Sequence, residues 1–195
     1  MTQLEFYFDY RSPYAYLAHT QLRLLKSEVL YRPFEIRGVM EMVGNVPTSV
    51  ICKPKNRYIQ ADLRRWVSRY GVPFERHPAI MEIDSKRLLR ATLWAAERGP
   101  VNELVTALFN AMWGGAPEPL LSAADVAGFM SRLGFDHATL DSEIDAPRWQ
   151  QALDRATSEA ADRGVFGAPC MFVGEEMFFG NDRLDFVRAE LERAA

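Results

Sequence analysis

Ser12, within FDYRSPYAYLA over residues 8–18, is the first position at which chemistry can be argued. Leu4, Phe6, Tyr7 and Phe8 before it make a short apolar run suited to a buried strand, and Pro13 after it suits a first helical turn. Ser12 is then the N-cap. A helix start carries partial positive charge and lowers the pKa of a thiol placed there, which is why redox enzymes put a C-x-x-C pair at such a junction. Here the four positions read Ser12, Pro13, Tyr14 and Ala15. Dithiol exchange is excluded without the two sulfurs, so if the position is active the sulfur must arrive with a ligand. A free thiol has a pKa near ~8.5, and a hydroxyl donating to it, together with the helix start, favours its thiolate. Taken alone, Ser12 is most simply a capping residue.

The remaining candidates carry less. Cys52 and Cys170 have neither the spacing of a redox pair nor the ligand count of a zinc site, and both are read as inert thiols. No histidine or carboxylate spacing proposes a metal. His19 lies off the apolar stripe of its helix, and His77 and His137 sit in polar stretches, so all three are expected at the surface. The arginines Arg57, Arg64, Arg65 and Arg69 share a helix face that reads as solvated. Tyr10, Arg11 and Trp113 could wall an aromatic substrate, with packing in the core or at the surface the equal alternative.

Positioning these residues takes a strand, a helix and a second strand. SPYAYLAHTQLRLLK places Tyr14, Leu17, Ala18, Leu22 and Leu25 on one helical face, and Val29 to Ile36 reads as a strand parallel to the first. Ligand sites in such units lie at the strands' C-terminal ends, where Ser12 falls. The middle is helical: Ile59, Leu63, Trp66, Val67 and Tyr70 recur at helical spacing up to Gly71, and further helices are expected over 85–98, 101–113, 122–133 and 147–163. Cys170 to Val173 and Met177 to Phe179 flank a turn at Gly174 and Glu175, a hairpin, and a final helix buries Leu184, Phe186, Val187 and Leu191. The expected class is α/β, a thioredoxin-like fold with a large inserted all-helical domain: residues 1–37 with 164–195 form the sheet domain and 38–163 the insertion.

The chain has 195 residues, 48% of them hydrophobic, with a formal net charge of -3. It can bury a real core, and it has no basic excess for binding phosphate backbones, so no nucleic-acid partner is expected. No apolar stretch approaches the ~20 residues that span a bilayer, and the first residues lack a secretory pattern. A soluble, cytoplasmic protein with no membrane partner is the expectation.

Three blocks, FYFDYRSPYAYLA, GNVP with KPKNRYIQADLRRW, and GVFGAPCMFVGEEMFFGNDRLDFV, occur in this order over nearly the whole chain. Together they resemble the 2-hydroxychromene-2-carboxylate isomerases and the kappa-class glutathione transferases, relatives of the DsbA-type proteins. The resemblance implies glutathione as cofactor, with Ser12 hydrogen-bonding its sulfur. It implies that Asn45 and Lys55 hold the glycine end and that Asn181 and Asp182 hold the γ-glutamyl end. Ala168-Pro169 would be a cis peptide whose preceding backbone pairs with the cysteinyl part. The implied activity is isomerisation of 2-hydroxychromene-2-carboxylate in aromatic degradation; conjugation of glutathione to other electrophiles and binding without turnover are the alternatives. A homodimer also fits the resemblance.

Overall fold

The computed structural model describes residues 3–135 and 138–194, and at Ser49 and Val50 the backbone alone. His137 lies outside the described residues. Strand β1 (Leu4–Phe8) leads into α1 (Pro13–Leu22) and β2 (Val29–Pro33). There follow α2 (Ile36–Met42), α3 (Thr48–Ile51), α4 (Lys53–Tyr70), α5 (Ser85–Ala96) and α6 (Asn102–Trp113). The chain continues through α7 (Ala123–Arg132), α8 (Leu140–Glu143) and α9 (Pro147–Asp162), then β3 (Cys170–Val173), β4 (Glu176–Phe179), a 3-10 turn (Asn181–Arg183) and α10 (Leu184–Arg193).

The four strands form one sheet in the order β2-β1-β3-β4. β1 runs parallel to β2, pairing Leu4 with Val29 through Phe8 with Pro33, and antiparallel to β3, pairing Leu4 with Val173 through Tyr7 with Cys170. Alternation along β1 sends Leu4, Phe6 and Phe8 into one core with α1 and α6, and Tyr7 into a second with Phe34, Val39, Ala160, Cys170 and Phe172. Both sheet faces are therefore covered. The first core continues through Leu63, Leu88, Leu108, Val126 and Leu153, so sheet and helices share one apolar interior.

Local signals account for most helix ends. Ser12 caps α1 with Pro13 at its first position, Ser122 and Asp125 close a capping box on α7, and Gly71 ends α4 at φ 63°. β2 stops at Pro33, short of the expected Ile36. Proline donates no ladder hydrogen bond, and the Ile36 N–H instead reaches the Asp9 carboxyl at 3.0 Å, where α2 begins. In α10, Leu184 and Val187 are buried as expected, whereas Phe186 is 62% exposed: this ten-residue helix lies against β3 by a narrow stripe, and residue 186 falls outside it. The arginine face of α4 is exposed, as its pattern predicts.

His19 and His77 are corrections. His19 is 1% exposed, its ring stacked on Phe109 at 5.2 Å, because α6 covers the side of α1 that the sheet leaves free. Thr106 gives its hydroxyl proton to Asn102 O, so His19 Nε2 donates to Thr106 Oγ1 at 3.0 Å, leaving Nδ1 to accept from Tyr31. Burial lowers the His19 pKa to about 3, keeping the ring neutral. His77 is also buried, accepting the Ala79 N–H at Nδ1 and donating from Nε2 to Glu118 O. A histidine with both nitrogens matched is a satisfied core residue.

Candidate functional site at the start of the first helix

The β1–α1 turn is built around one buried carboxyl. Asp9 ends the apolar strand at 1% exposure, and its two oxygens accept the backbone N–H groups of Arg11 at 2.9 Å and Ile36 at 3.0 Å. Burial raises its pKa, opposed by those two N–H donors. The Asp9 carbonyl accepts the Ser12 N–H at 3.0 Å, closing the turn that delivers Ser12 to the head of α1. Asp9 was a readable signal missed: an acid ending an apolar run needs a reason.

Ser12 Oγ accepts the Ala15 N–H at 3.1 Å and donates to Ala168 O at 3.2 Å, across 156 residues of sequence. The Ala168-Pro169 bond is cis. The head of α1 and the segment before β3 therefore meet at one hydroxyl. Asn45 joins them from the far side: its Nδ2 donates to Phe166 O at 2.8 Å, two residues ahead of Ala168. Lys55 is exposed and donates to Thr48 Oγ1, so it stands apart from these contacts.

Beyond β4 the chain turns at Gly180, whose φ of 101° and ψ of 151° suit glycine alone. A Cβ there would sit 2.4 Å from Asp182 Oδ1, so the missing side chain lets that carboxylate fold back over the turn. Asn181 is buried and accepts the Tyr70 hydroxyl at its carbonyl, while Asp182 pairs with Arg183 at 2.6 Å. Tyr14, two residues after Ser12, donates to Asp62 Oδ2 at 2.9 Å; burial and that carboxylate push its pKa up, with a further contribution from the charge of Asp182. Asp62 reaches the site from α4 and carries no local sequence signature.

The three residues expected along a substrate wall divide. Tyr10 is fully buried, donating its hydroxyl to Thr92 Oγ1, whose own proton goes to Leu88 O. Trp113 is 7% exposed, stacked on Phe74, and its indole N–H donates to Tyr10 O at 2.7 Å. Both rings sit in the core behind the Ser12 turn: Tyr10 packs on Phe109 of α6, and Trp113, at the end of α6, packs on Phe74. Arg11 alone of the three is half-exposed. Cys170, next to Pro169, is buried, with burial pushing its thiol up to about 12, and Cys52 is exposed; both are free. Among the described residues no cluster of metal-ligating side chains occurs.

The hydroxyl-capped helix start faces a cis-proline segment, with no cysteine at either end of the four-residue motif. The DSBA-like thioredoxin domain model matches residues 3–192. A 2-hydroxychromene-2-carboxylate isomerase of Sphingobium xenophagum is 34% identical over 96% of this chain and 97% of its own. The chain belongs to the DSBA-like thioredoxin family, among the 2-hydroxychromene-2-carboxylate isomerases. A solved structure of a 2-hydroxychromene-2-carboxylate isomerase superposes at TM-score 0.86 with 30% identity, covering 98% of this chain and 95% of that one. Glutathione S-transferase kappa 1 of Caenorhabditis elegans is 23% identical over 99% of this chain and 92% of its own. The described residues of this family member include no helix long and apolar enough to cross a membrane.

Proposed function

We propose that this protein is a glutathione-dependent isomerase that interconverts 2-hydroxychromene-2-carboxylate and trans-o-hydroxybenzylidenepyruvate. The observation that carries the reading is Ser12: a buried hydroxyl at the amide end of α1, 3.2 Å from Ala168 O, in a family member that lacks any thiol there. The residues present fit a tripeptide thiol. Asn45 and Asp182 are both exposed, and Asn45 donates to Phe166 O two residues before Ala168, which supports the reading.

Glutathione, when bound, supplies a thiolate that adds reversibly to the substrate's carbon-carbon double bond, permits rotation and leaves again. The chain's own part is electrostatic. Ser12 would turn its hydroxyl proton from Ala168 O to the bound sulfur, and the α1 amides add partial positive charge, so the anionic sulfur is favoured over the neutral thiol. Asp182 supplies an acceptor for an ammonium at the γ-glutamyl end. Lys55 supplies a cation for the glycine carboxylate once released from Thr48. Tyr10 and Trp113 position the turn without touching substrate. On this reading the protein works on a small aromatic substrate in the cytoplasm, with a homodimer the expected assembly.

The test follows the ultraviolet absorbance of 2-hydroxychromene-2-carboxylate with and without glutathione. Glutathione-dependent conversion to the trans product, with free glutathione regenerated, supports the reading. A stable conjugate would mark a transferase, and conversion unaffected by omitting glutathione would reject the mechanism.

A further inference from the structure

Four arginines among the described residues are buried or half-buried: Arg11, Arg87, Arg90 and Arg163. Three have carboxylate partners. Arg87 and Arg90 pair with Asp145 at 2.9 and 2.7 Å, and Arg163 pairs with Glu5 at 2.5 Å. Arg11 has neutral hydrogen-bond partners only: its Nε donates to Ser85 Oγ at 2.7 Å and its Nη2 to Ile83 O at 3.2 Å.

The acids that could neutralise it are engaged elsewhere. Asp9 attracts Arg11, yet both its oxygens receive backbone N–H groups and burial raises its pKa, favouring the neutral acid; Glu35 pairs with Lys86 at 2.9 Å, and Asp84 caps α5 while facing Arg90 at 3.4 Å. A half-buried guanidinium loses hydration and gains nothing comparable from neutral oxygens, so its charge is left to be balanced by something that arrives. Two of its five N–H groups are committed, which leaves three to receive an anion. Ser85 and Ile83 hold the fork in place, so an incoming carboxylate meets a preorganised donor.

Its place is also informative. Arg11 directly precedes Ser12, their Cα atoms about 3.8 Å apart, and its head group lies where the β1–α1 turn meets the start of α5. In the ring-opened substrate the carboxylate is three bonds from the carbon a thiolate would attack. We infer that Arg11 is the specificity-determining residue that binds the substrate's carboxylate and orients the double bond over the Ser12 position. The inference rests on the isomerase reading for the identity of the anion, and on Arg11 itself for the anion's charge.

The experiment compares wild type with Arg11→Gln and Arg11→Lys in two measurements. In turnover with glutathione, Arg11→Gln raises KM for 2-hydroxychromene-2-carboxylate ~10-fold or more, the loss of a charge-assisted hydrogen bond, while glutathione affinity stays within about threefold. Arg11→Lys, which keeps charge but loses the fork, falls between. In calorimetry, salicylate is the probe and salicylamide its neutral counterpart: wild type prefers the carboxylate ~10-fold or more, and Arg11→Gln abolishes the preference. A purely structural strut would lower the melting temperature and kcat together and leave the salicylate preference intact, and that result would overturn the inference. So would an unchanged KM and an unchanged preference. Should Arg11→Gln fail to fold, the Lys variant carries both comparisons. A wild type without isomerase turnover that still shows an Arg11-dependent salicylate preference would sink the isomerase reading and leave the anion site standing.

Discussion

At Ser12 one oxygen serves two roles. It caps α1 by accepting the Ala15 N–H and it holds a proton that now points at Ala168 O. The two roles separate by substitution. Ser12→Ala loses the cap and about 1 kcal/mol of stability, whereas Ser12→Gly loses only a few tenths because glycine is tolerated at an N-cap. On the proposed mechanism both remove the donor to the sulfur, so turnover falls about 100-fold or more in each, the usual cost of deleting one preorganised donor. Urea midpoints and glutathione-dependent rates on the same preparations check this; a Ser12→Gly enzyme with normal turnover would reduce Ser12 to a cap. His19 offers a second measurement. Its folded pKa of about 3 lies below the ordinary 6.5, so the unfolded chain binds more protons between those values and stability is lost as pH falls. From pH 7 to pH 5 this residue alone costs about 2 kcal/mol, at about 1.36 kcal/mol per unit. Glutamine keeps one donor and one acceptor without a titrating proton, so the difference between wild type and His19→Gln in denaturation at the two pH values isolates the effect.

Among the elements, the β4-to-α10 turn is the most exacting. Gly180 combines a backbone conformation closed to other residues with contact against Asp182, so Gly180→Ala costs about 1–3 kcal/mol for the backbone alone. It also displaces the Asp182 carboxylate. Glutathione affinity by calorimetry should weaken several-fold while the Ser12 hydroxyl, held by α1 and Ala168, keeps its place. Sequence pattern reaches the elements well because alternation, Pro13, Gly71 and the hairpin at Gly174 each act within a few residues. β2 ends early because Asp9, from a neighbouring strand, captures the Ile36 N–H. Phe186 is exposed because apolar periodicity names a stripe without saying how wide its partner is.

Taken whole, the molecule joins its sheet and its helices through one core. Phe8 and Tyr10 pack on Phe109 at 5.5 and 4.9 Å, and Trp113 ties α6 to the β1–α1 turn. Residues 38–163, expected as an insertion, therefore share their interior with the strands. Hydrogen exchange under native conditions should show β1 and α6 amides opening with the same free energy, as one cooperative unit. Clearly weaker protection throughout α6 would divide the molecule into independently unfolding parts.

The amino-acid sequence by itself determined the type and order of the main elements, the placing of Ser12 at a helix start and the impossibility of dithiol chemistry there. All three depend on neighbouring residues, within reach of periodicity, capping preference and residue type. Tertiary structure alone decided that His19, Tyr10 and Trp113 are interior, that Asn45 meets Phe166, and that the Arg11 fork donates to Ser85 and Ile83 and to no carboxylate. Those outcomes turn on contacts between distant residues, 74 apart for Arg11 with Ser85 and 121 apart for Asn45 with Phe166. A local pattern reports one face of an element; what covers its other face comes from distant chain, and only packing brings it there.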